Sequence, residues 1–496
     1  MTTLVAVPVD APPASRRPAI AAACGVGVVG AAVALAGAGI PSLWGDEVVS
    51  IMSARRSWGS LADELGSIDA VHGLYYAILH VWVVVTGSDA VAVRALSALA
   101  VALAAAGMVP LVRSLGGGLR PALVAGLVFA VLPRVAYAGS DARSAALEMA
   151  GVVALSLLLA RGAVARPGWR WLGYGVGLGV LVTLFLDTAL VVAAHLVLVV
   201  LLTRAPERRA ALRRFAAAVG IALVLSAPVV IAGWRQRSQV GFLADRAPTP
   251  RTVLVTPWFG DAALAIAAGG SLLLAVVAVL RRAPLARAGI VALVGALVPS
   301  VVILTLGAAL GGFYAARYVG FTAPWVALLL AVGVEEAVRR LPAVGRAPAS
   351  AVAIALVAAL AAPTVVSQRA PTARNAGTDW NEVAALIAAR SHPGDGIAFD
   401  DGVRHSRRPR LALHAYPDAF RGVTDLGLVT PYERTDGLWD LTRPLTPGLI
   451  GRSDRVWLVT RSRHGAAQVE ALRLAGLHPE RAWSLDADVV TLWGRP

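Results

Sequence analysis

The chain contains no lysine: every one of its 45 basic residues is arginine. A Walker-type phosphate loop is therefore absent, and with it most nucleotide-hydrolysis schemes. Any phosphate held by a side-chain cation must be held by a guanidinium fork. Cysteine is almost missing too. The single Cys24 excludes an intrachain disulfide and, lying in the first apolar run, says nothing about redox compartment. Charge is scarce: of 496 residues only 15% are charged and 57% are hydrophobic, with a mean hydropathy of +0.69. Those values lie outside the range of soluble globular proteins and describe a polytopic α-helical membrane protein. The formal charge of +15 would suggest nucleic acid in a soluble chain. Here the arginines gather in short loops between apolar runs, as the positive-inside rule expects, so no nucleic-acid partner is inferred. There is no internal repeat, and no low-complexity tract beyond the Ala/Val/Leu richness of membrane helices.

Apolar runs long enough to cross about 30 Å of hydrocarbon as helices recur near 19–40, 91–112, 121–138, 144–160, 170–187, 188–203, 215–233, 261–280, 288–311, 318–337 and 350–367, predicting about eleven transmembrane helices. Arg16 and Arg17 precede the first run, which is longer than a signal-peptide core and lacks a small-x-small cleavage site. It reads as a retained first span. The apolar stretch Val71 to Thr86 is short and interrupted by His72 and His80, and is expected to lie in the membrane interface. With eleven spans and a cytoplasmic N-terminus (1–18), every cytoplasmic loop carries arginines: Arg113 and Arg120; Arg161, Arg166 and Arg170; Arg204 to Arg214; Arg281, Arg282 and Arg287; Arg339, Arg340 and Arg346. The expected organisation is a transmembrane domain over 19–367, with a long first external loop at 41–90, followed by an extracytoplasmic domain over 368–496, all at the plasma membrane.

After residue 367 the composition turns soluble. "DWNEVAALIAARS" has helical spacing, with Asp379 and Glu382 set for a capping box. The segments 395–401, 455–462 and 488–495 read as strands, and a helical pattern lies between the last two. Alternating helix and strand predict a small α/β domain.

The candidate chemistry sits on the outer side. "PSLWGDEVVS" sets Asp46 and Glu47 directly after more than twenty uncharged residues, behind the interface residue Trp44. A carboxylate partly withdrawn from water at such a boundary suits a general base; the plainer alternative is a solvated pair that ends a span. "VVSIMSARRSW" has amphipathic spacing compatible with lying on the membrane. "HGLYYAILHVW" carries His72, Tyr75, Tyr76 and His80 at helical spacing, as a site or as an aromatic belt. "SDARSAALEM" puts Asp141 and Arg143 in an external turn, as site residues or as a surface ion pair. Glu148 follows inside the next span, marking a polar cavity or an arginine partner. The lone Asp187 reads as structural. Arg317 and Tyr318 open the tenth run, where an outward-facing arginine suits a phosphate at headgroup depth. The basic run 400–416, with two histidines, is either a solvated face or a contact for an anionic acceptor.

Together, the Asp-Glu pair after one span, the "LYY…HVW" helix, "VRALSAL" (93–99), "DAR" (141–143) and "RYVGFTAPWVALLLA" (317–331) resemble the GT-C superfamily. The likeness, over about residues 19 to 340, is to polyprenyl-phosphate-sugar-dependent transferases of glycosyltransferase family 39, alongside protein O-mannosyltransferases and lipid A aminoarabinose transferases. The resemblance implies Asp46 as general base with Glu47 beside it in the acceptor site, and Arg143 and Arg317 as ligands of the lipid phosphate. It implies an inverting enzyme that moves a sugar from a polyprenyl-phosphate donor to a glycan, glycolipid or protein acceptor of the cell envelope. The all-arginine, alanine-rich composition is similar to that of actinobacterial members, which implies mannose or arabinose. The chain departs from the family pattern where His72-Gly73 stands in place of Pro-Pro, and where Ser144-Ala145 follows "DAR" without the usual tyrosine. No cofactor is required; a divalent metal beside Asp46, Glu47 and His72 is compatible with the residues. The rival classes are a transporter or lipid flippase, which the absence of inverted halves disfavours, and an inactive scaffold.

Overall fold

The computed structural model describes residues 16–163, 168–243, 247–309, 314–374, 377–451, 453–461 and 466–496. In chain order the helices are α1 (Arg16–Leu35), α2 (Gly45–Arg55), α3 (Trp58–Ser67), α4 (Gly73–Thr86), α5 (Ala90–Ser114), α6 (Leu119–Val131), α7 (Pro133–Gly139), α8 (Ala145–Leu158), α9 (Trp169–Leu184), α10 (Val191–Leu202), α11 (Ala205–Arg235), α12 (Ala262–Leu280), α13 (Ala286–Ala309), α14 (Ala323–Val338), α15 (Ala343–Ser367) and α16 (Trp380–Arg390). The chain divides into two compact units. One comprises residues 1–36 and 97–366, the other residues 37–96 and 367–496.

The first unit is a helical bundle. Among the described residues eight helices are long and apolar enough to cross a membrane, or nine if α6 and α7, bent by 62° across Leu132 and Pro133, count as one broken span. Of the eleven expected runs, 170–187 and 188–203 fall on shorter helices. There the backbone turns extended at Phe185 (φ −163°, ψ 122°), leaving α9 with 16 residues and a second short apolar helix over Leu186–Leu202. Sixteen residues rise only about 24 Å. The core is aliphatic and alanine-rich, with α14 among its most buried helices. Its one deep histidine is fully satisfied. His195, on α10, bonds Ser156 through Nε2 and the Tyr174 hydroxyl through Nδ1, each at 2.9 Å, so a polar ring is buried at little cost.

The second unit joins the first loop to the C-terminal residues. Its sheet comprises β1 (Gly396–Phe399), β2 (Thr424–Asp425), β5 (Arg455–Arg461), β6 (His478–Ser484) and β7 (Asp488–Gly494), in the order β2-β1-β5-β7-β6, while β3 (Leu428–Thr430) and β4 (Leu441–Thr442) pair as a separate ribbon. β1 runs parallel to β2 and β5; β7 is antiparallel to both its neighbours. The three expected strands are present. β6 carries no such signal because it is an almost wholly exposed edge containing Pro479, where alternation is not enforced.

The expected capping box at Asp379 does not form. The Asp379 side chain makes no cap bond to α16. It accepts instead from the backbone N–H groups of Ala487 and Asp488, at 2.7 and 3.0 Å, and so ties the start of α16 to the start of β7.

Candidate functional site

Within the second unit, the segment before Asp46 is held by its own backbone groups. Leu43 N–H donates to the Tyr416 hydroxyl at 3.0 Å, Thr378 Oγ1 donates to the Leu43 carbonyl at 3.1 Å, and Ser42 N–H donates to the Pro371 carbonyl at 3.0 Å. Gly45 then opens α2 against Ser406. A Cβ at Gly45 would stand 2.2 Å from the Ser406 carbonyl oxygen, so only glycine admits this approach.

The two adjacent carboxylates have different surroundings. Glu47 is fully buried and takes a bidentate pair from Arg94 (Nε–Oε1 2.8 Å, Nη2–Oε2 2.6 Å). Its Oε2 also accepts from the Trp44 N–H at 3.4 Å, which is the carboxylate half of a capping box. Arg94 spends its other donors on the carbonyls of Ala38, Pro41 and Ser42. The arginine thus gathers the turn that leads into α2, a role the sequence reading did not assign to it. Asp46, one residue earlier, stays half-exposed in the first turn of a helix whose remaining residues, Glu47 to Ala54, are all buried. That burial corrects the expectation of a helix lying on the membrane: α2 is internal to its unit.

His72 stands at the residue before α4, makes no cap bond through its side chain, and is half-buried. Tyr75 and Tyr76 are buried in α4; the Tyr76 hydroxyl donates to Asp69 Oδ2 at 2.8 Å, and the His72 and Tyr76 rings lie 6.1 Å apart. Asp69, also missed by the sequence reading, adopts a left-handed backbone (φ 58°, ψ 21°) at the approach to His72. Such a conformation in a non-glycine residue persists only where its surroundings hold it. His80 lies apart from His72, with Nδ1 2.8 Å from the Ala54 carbonyl and its ring 4.2 Å from Trp58. A second buried ion pair, Arg56–Glu64 at 2.6 Å, together with Arg56 donation to the Thr435 carbonyl at 2.9 Å, ties the loop to the residues beyond β3. Among the described residues no group of three or more His, Cys, Asp or Glu is arranged to hold a metal ion.

The first unit assembles its own polar cluster. Asp141 is buried in the turn before α8; Ser97 Oγ donates to its carbonyl at 2.7 Å, as does Arg143 N–H at 2.8 Å. Glu148 is buried one turn into α8 and accepts from Ser144 Oγ at 2.7 Å. The charges of Asp187, Arg134 and Arg143 act on it. Arg317 is exposed; its guanidinium lies 5.5 Å from the Tyr318 ring, which in turn packs 5.6 Å from Phe185. The sequence reading passed over Arg134. It begins α7 directly after the bend, donates through Nη2 to the Arg317 carbonyl at 3.2 Å, and feels the charges of Asp141, Arg317 and Glu148. Its one visible signal was an arginine inside an otherwise apolar run, at "VLPRVAY".

This architecture, many apolar helices with a small sheet domain at the C-terminal end, is shared with a solved membrane protein. Over 97% of its length the chain superposes on 98% of ArnT from Cupriavidus metallidurans bound to undecaprenyl phosphate, with a TM-score of 0.56 and 15% identity. The apo form of the same protein gives 0.54, with the same coverage and identity. No protein-family profile and no curated protein sequence matches the chain.

Proposed function

We propose that the protein is a membrane glycosyltransferase that moves a sugar from a polyprenyl-phosphate donor to a hydroxyl of a cell-envelope acceptor on the outer face of the plasma membrane. The full-length fold likeness to a protein bound to undecaprenyl phosphate supports a donor of that chemical class. The observation that carries the mechanism is the asymmetry of the acidic pair. Glu47 is buried in a bidentate pair with Arg94, while Asp46 stays half-exposed.

In this reading Asp46 takes the proton of the acceptor hydroxyl as its oxygen attacks the anomeric carbon. The bond from that carbon to the phosphate oxygen breaks with inversion, and polyprenyl phosphate leaves. General-base assistance of this kind contributes roughly 10²–10⁴ in rate. Arg143 and Arg317 neutralise the charge that grows on the departing phosphate. Glu47 positions the turn that presents Asp46 rather than touching the acceptor. Trp44, His72, Tyr75, Tyr76, Asp141 and Tyr318 shape the sugar and acceptor subsites, with mannose or arabinose as the sugar. No step requires a metal; turnover unchanged in EDTA is the expected result.

The test is transfer by the purified full chain in nanodiscs from radiolabelled polyprenyl-phosphate mannose, and separately from the arabinose donor, with a cell-envelope extract as acceptor. Asp46→Asn is expected to lose about 10²–10⁴ in rate with its thermal midpoint unchanged. Absence of transfer from either donor, or transfer indifferent to Asp46, would sink the mechanism and favour a transporter.

A further inference from the structure

Arg134 stands out among the charges of the first unit. It occupies the second position of α7, immediately after Pro133, where the span bends by 62° and the ordinary ladder of helical hydrogen bonds is broken. A break of that kind within an apolar run is tolerated where the backbone lines a polar space instead of lipid. The backbone N–H of Arg134 donates to the Trp258 carbonyl at 3.3 Å, so the turn itself is anchored.

The guanidinium is anchored as well, with one of its donors left over. Nη2 reaches the Arg317 carbonyl and the group lies 5.8 Å from the Tyr137 ring, while Nε is buried without a hydrogen-bond partner. The charges of Asp141 and Glu148 act on it, and Glu148 accepts a hydrogen bond from Ser144. Gly320 closes the other side. A Cβ there would stand 2.8 Å from Arg134 Nε and 3.3 Å from Nη2, so the guanidinium rests directly on a glycine backbone. Its nearest strong charge of like sign is Arg317, whose own backbone carbonyl it grips. An anion bridging two neighbouring arginines, one of them with a buried donor unused, relieves their mutual repulsion and satisfies that donor.

We infer that Arg134 is a further phosphate-binding residue, preset by the span break and by Gly320 to donate to a phosphate group shared with Arg317. The inference rests on the donor class proposed above, and names for it a residue that the sequence pattern did not. A planar fork held on three sides donates two parallel bonds to phosphate oxygens with little loss of side-chain freedom.

The experiment measures binding of polyprenyl phosphate without its sugar to the full chain in nanodiscs by native mass spectrometry. Phosphatidylglycerol and inorganic phosphate serve as comparison ligands, and thermal midpoints are recorded in parallel. Wild type is expected to bind polyprenyl phosphate, and Arg134→Gln to bind it about ten- to a hundredfold more weakly, the worth of a charge-assisted hydrogen bond. Gly320→Ala keeps the guanidinium but displaces it, and is expected to weaken binding by a similar factor. It decides the question should Arg134→Gln fail to fold. Wild-type affinity should rise as the phosphate monoester gains its second charge near pH 6, and Arg134→Gln should flatten that rise, which a merely structural role would not do. Folded variants that bind as tightly as wild type would overturn the inference and leave the proposed donor standing. A wild type that ignores polyprenyl phosphate, or prefers phosphatidylglycerol or free phosphate, would overturn the donor assignment itself.

Discussion

Arg94 and Arg134 both sit at the edge of an apolar segment, yet the protein uses them in opposite ways. In the second unit, Arg94 is wholly buried, and it has two bonds to Glu47 and three to backbone carbonyls. In the first unit, Arg134 has one carbonyl, one aromatic ring and a buried nitrogen with no partner. A cation whose donors are all spent is part of the construction. One held rigid with a donor in reserve is set for something that arrives later, and this difference, more than the mere presence of charge, separates scaffold from site.

The largest effect that sharpens this contrast is expected at Arg94. Arg94→Met leaves Glu47 as a buried charge without its partner, which costs about 3–5 kcal/mol, and should lower the thermal midpoint of the chain in nanodiscs steeply. Adding Glu47→Leu should recover much of the loss, because a buried pair replaced on both sides by apolar groups is often neutral. Arg134→Met, by comparison, should shift stability by less than about 1 kcal/mol, since it removes little more than one hydrogen bond. Equal losses at Arg94 and Arg134 would break the comparison.

A smaller, pH-dependent effect belongs to Asp488, at the start of β7. Burial, reinforced by the neighbouring charge of Asp379, pushes its carboxyl up to about 8. The folded state therefore holds a proton that the unfolded chain releases near pH 4, so stability is greatest below that pH and falls as pH rises towards 8. The slope is at most about 1.4 kcal/mol per pH unit. Denaturation measured from pH 5 to 8 should show this decline, and Asp488→Asn should remove it. The smallest effect is expected at the exposed Arg421–Asp418 pair, 2.6 Å apart with side chains more than 80% exposed. Arg421→Ala should leave the thermal midpoint within error, as surface pairs are screened and pay side-chain entropy to form.

Several features were legible before any coordinates. Apolar run length marked the helical bundle, because a helix crossing hydrocarbon must satisfy its backbone internally and cover its length with apolar side chains. Short apolar stretches marked β1, β5 and β7, whose residues are largely buried; β6, exposed at an edge, has none. The lone pair of adjacent carboxylates after an uncharged run was equally plain. Less legible was where a helix breaks: 170–187 and 188–203 have the composition of spans, but Phe185 turns extended between two shorter helices. The capping pattern at Asp379 was present as residues, and a tertiary partner, the start of β7, took the carboxylate away.

By itself, then, the sequence determined that this is an arginine-only membrane protein of many helices with a small α/β portion, and that its acidic pair, its "DAR" turn and its late arginine-tyrosine step deserve a chemical explanation. Only the tertiary structure decided that Glu47 is buried against Arg94 while its neighbour Asp46 stays half-exposed, and that Arg134 rests on Gly320 with a donor unspent. The reason is physical. Hydropathy is a sum over neighbours along the chain, readable one residue at a time. Whether a charge is satisfied depends on partners dozens to hundreds of positions away, such as Glu47 and Arg94 at a sequence separation of 47 or Arg134 and Arg317 at 183, which only folding brings within hydrogen-bond reach.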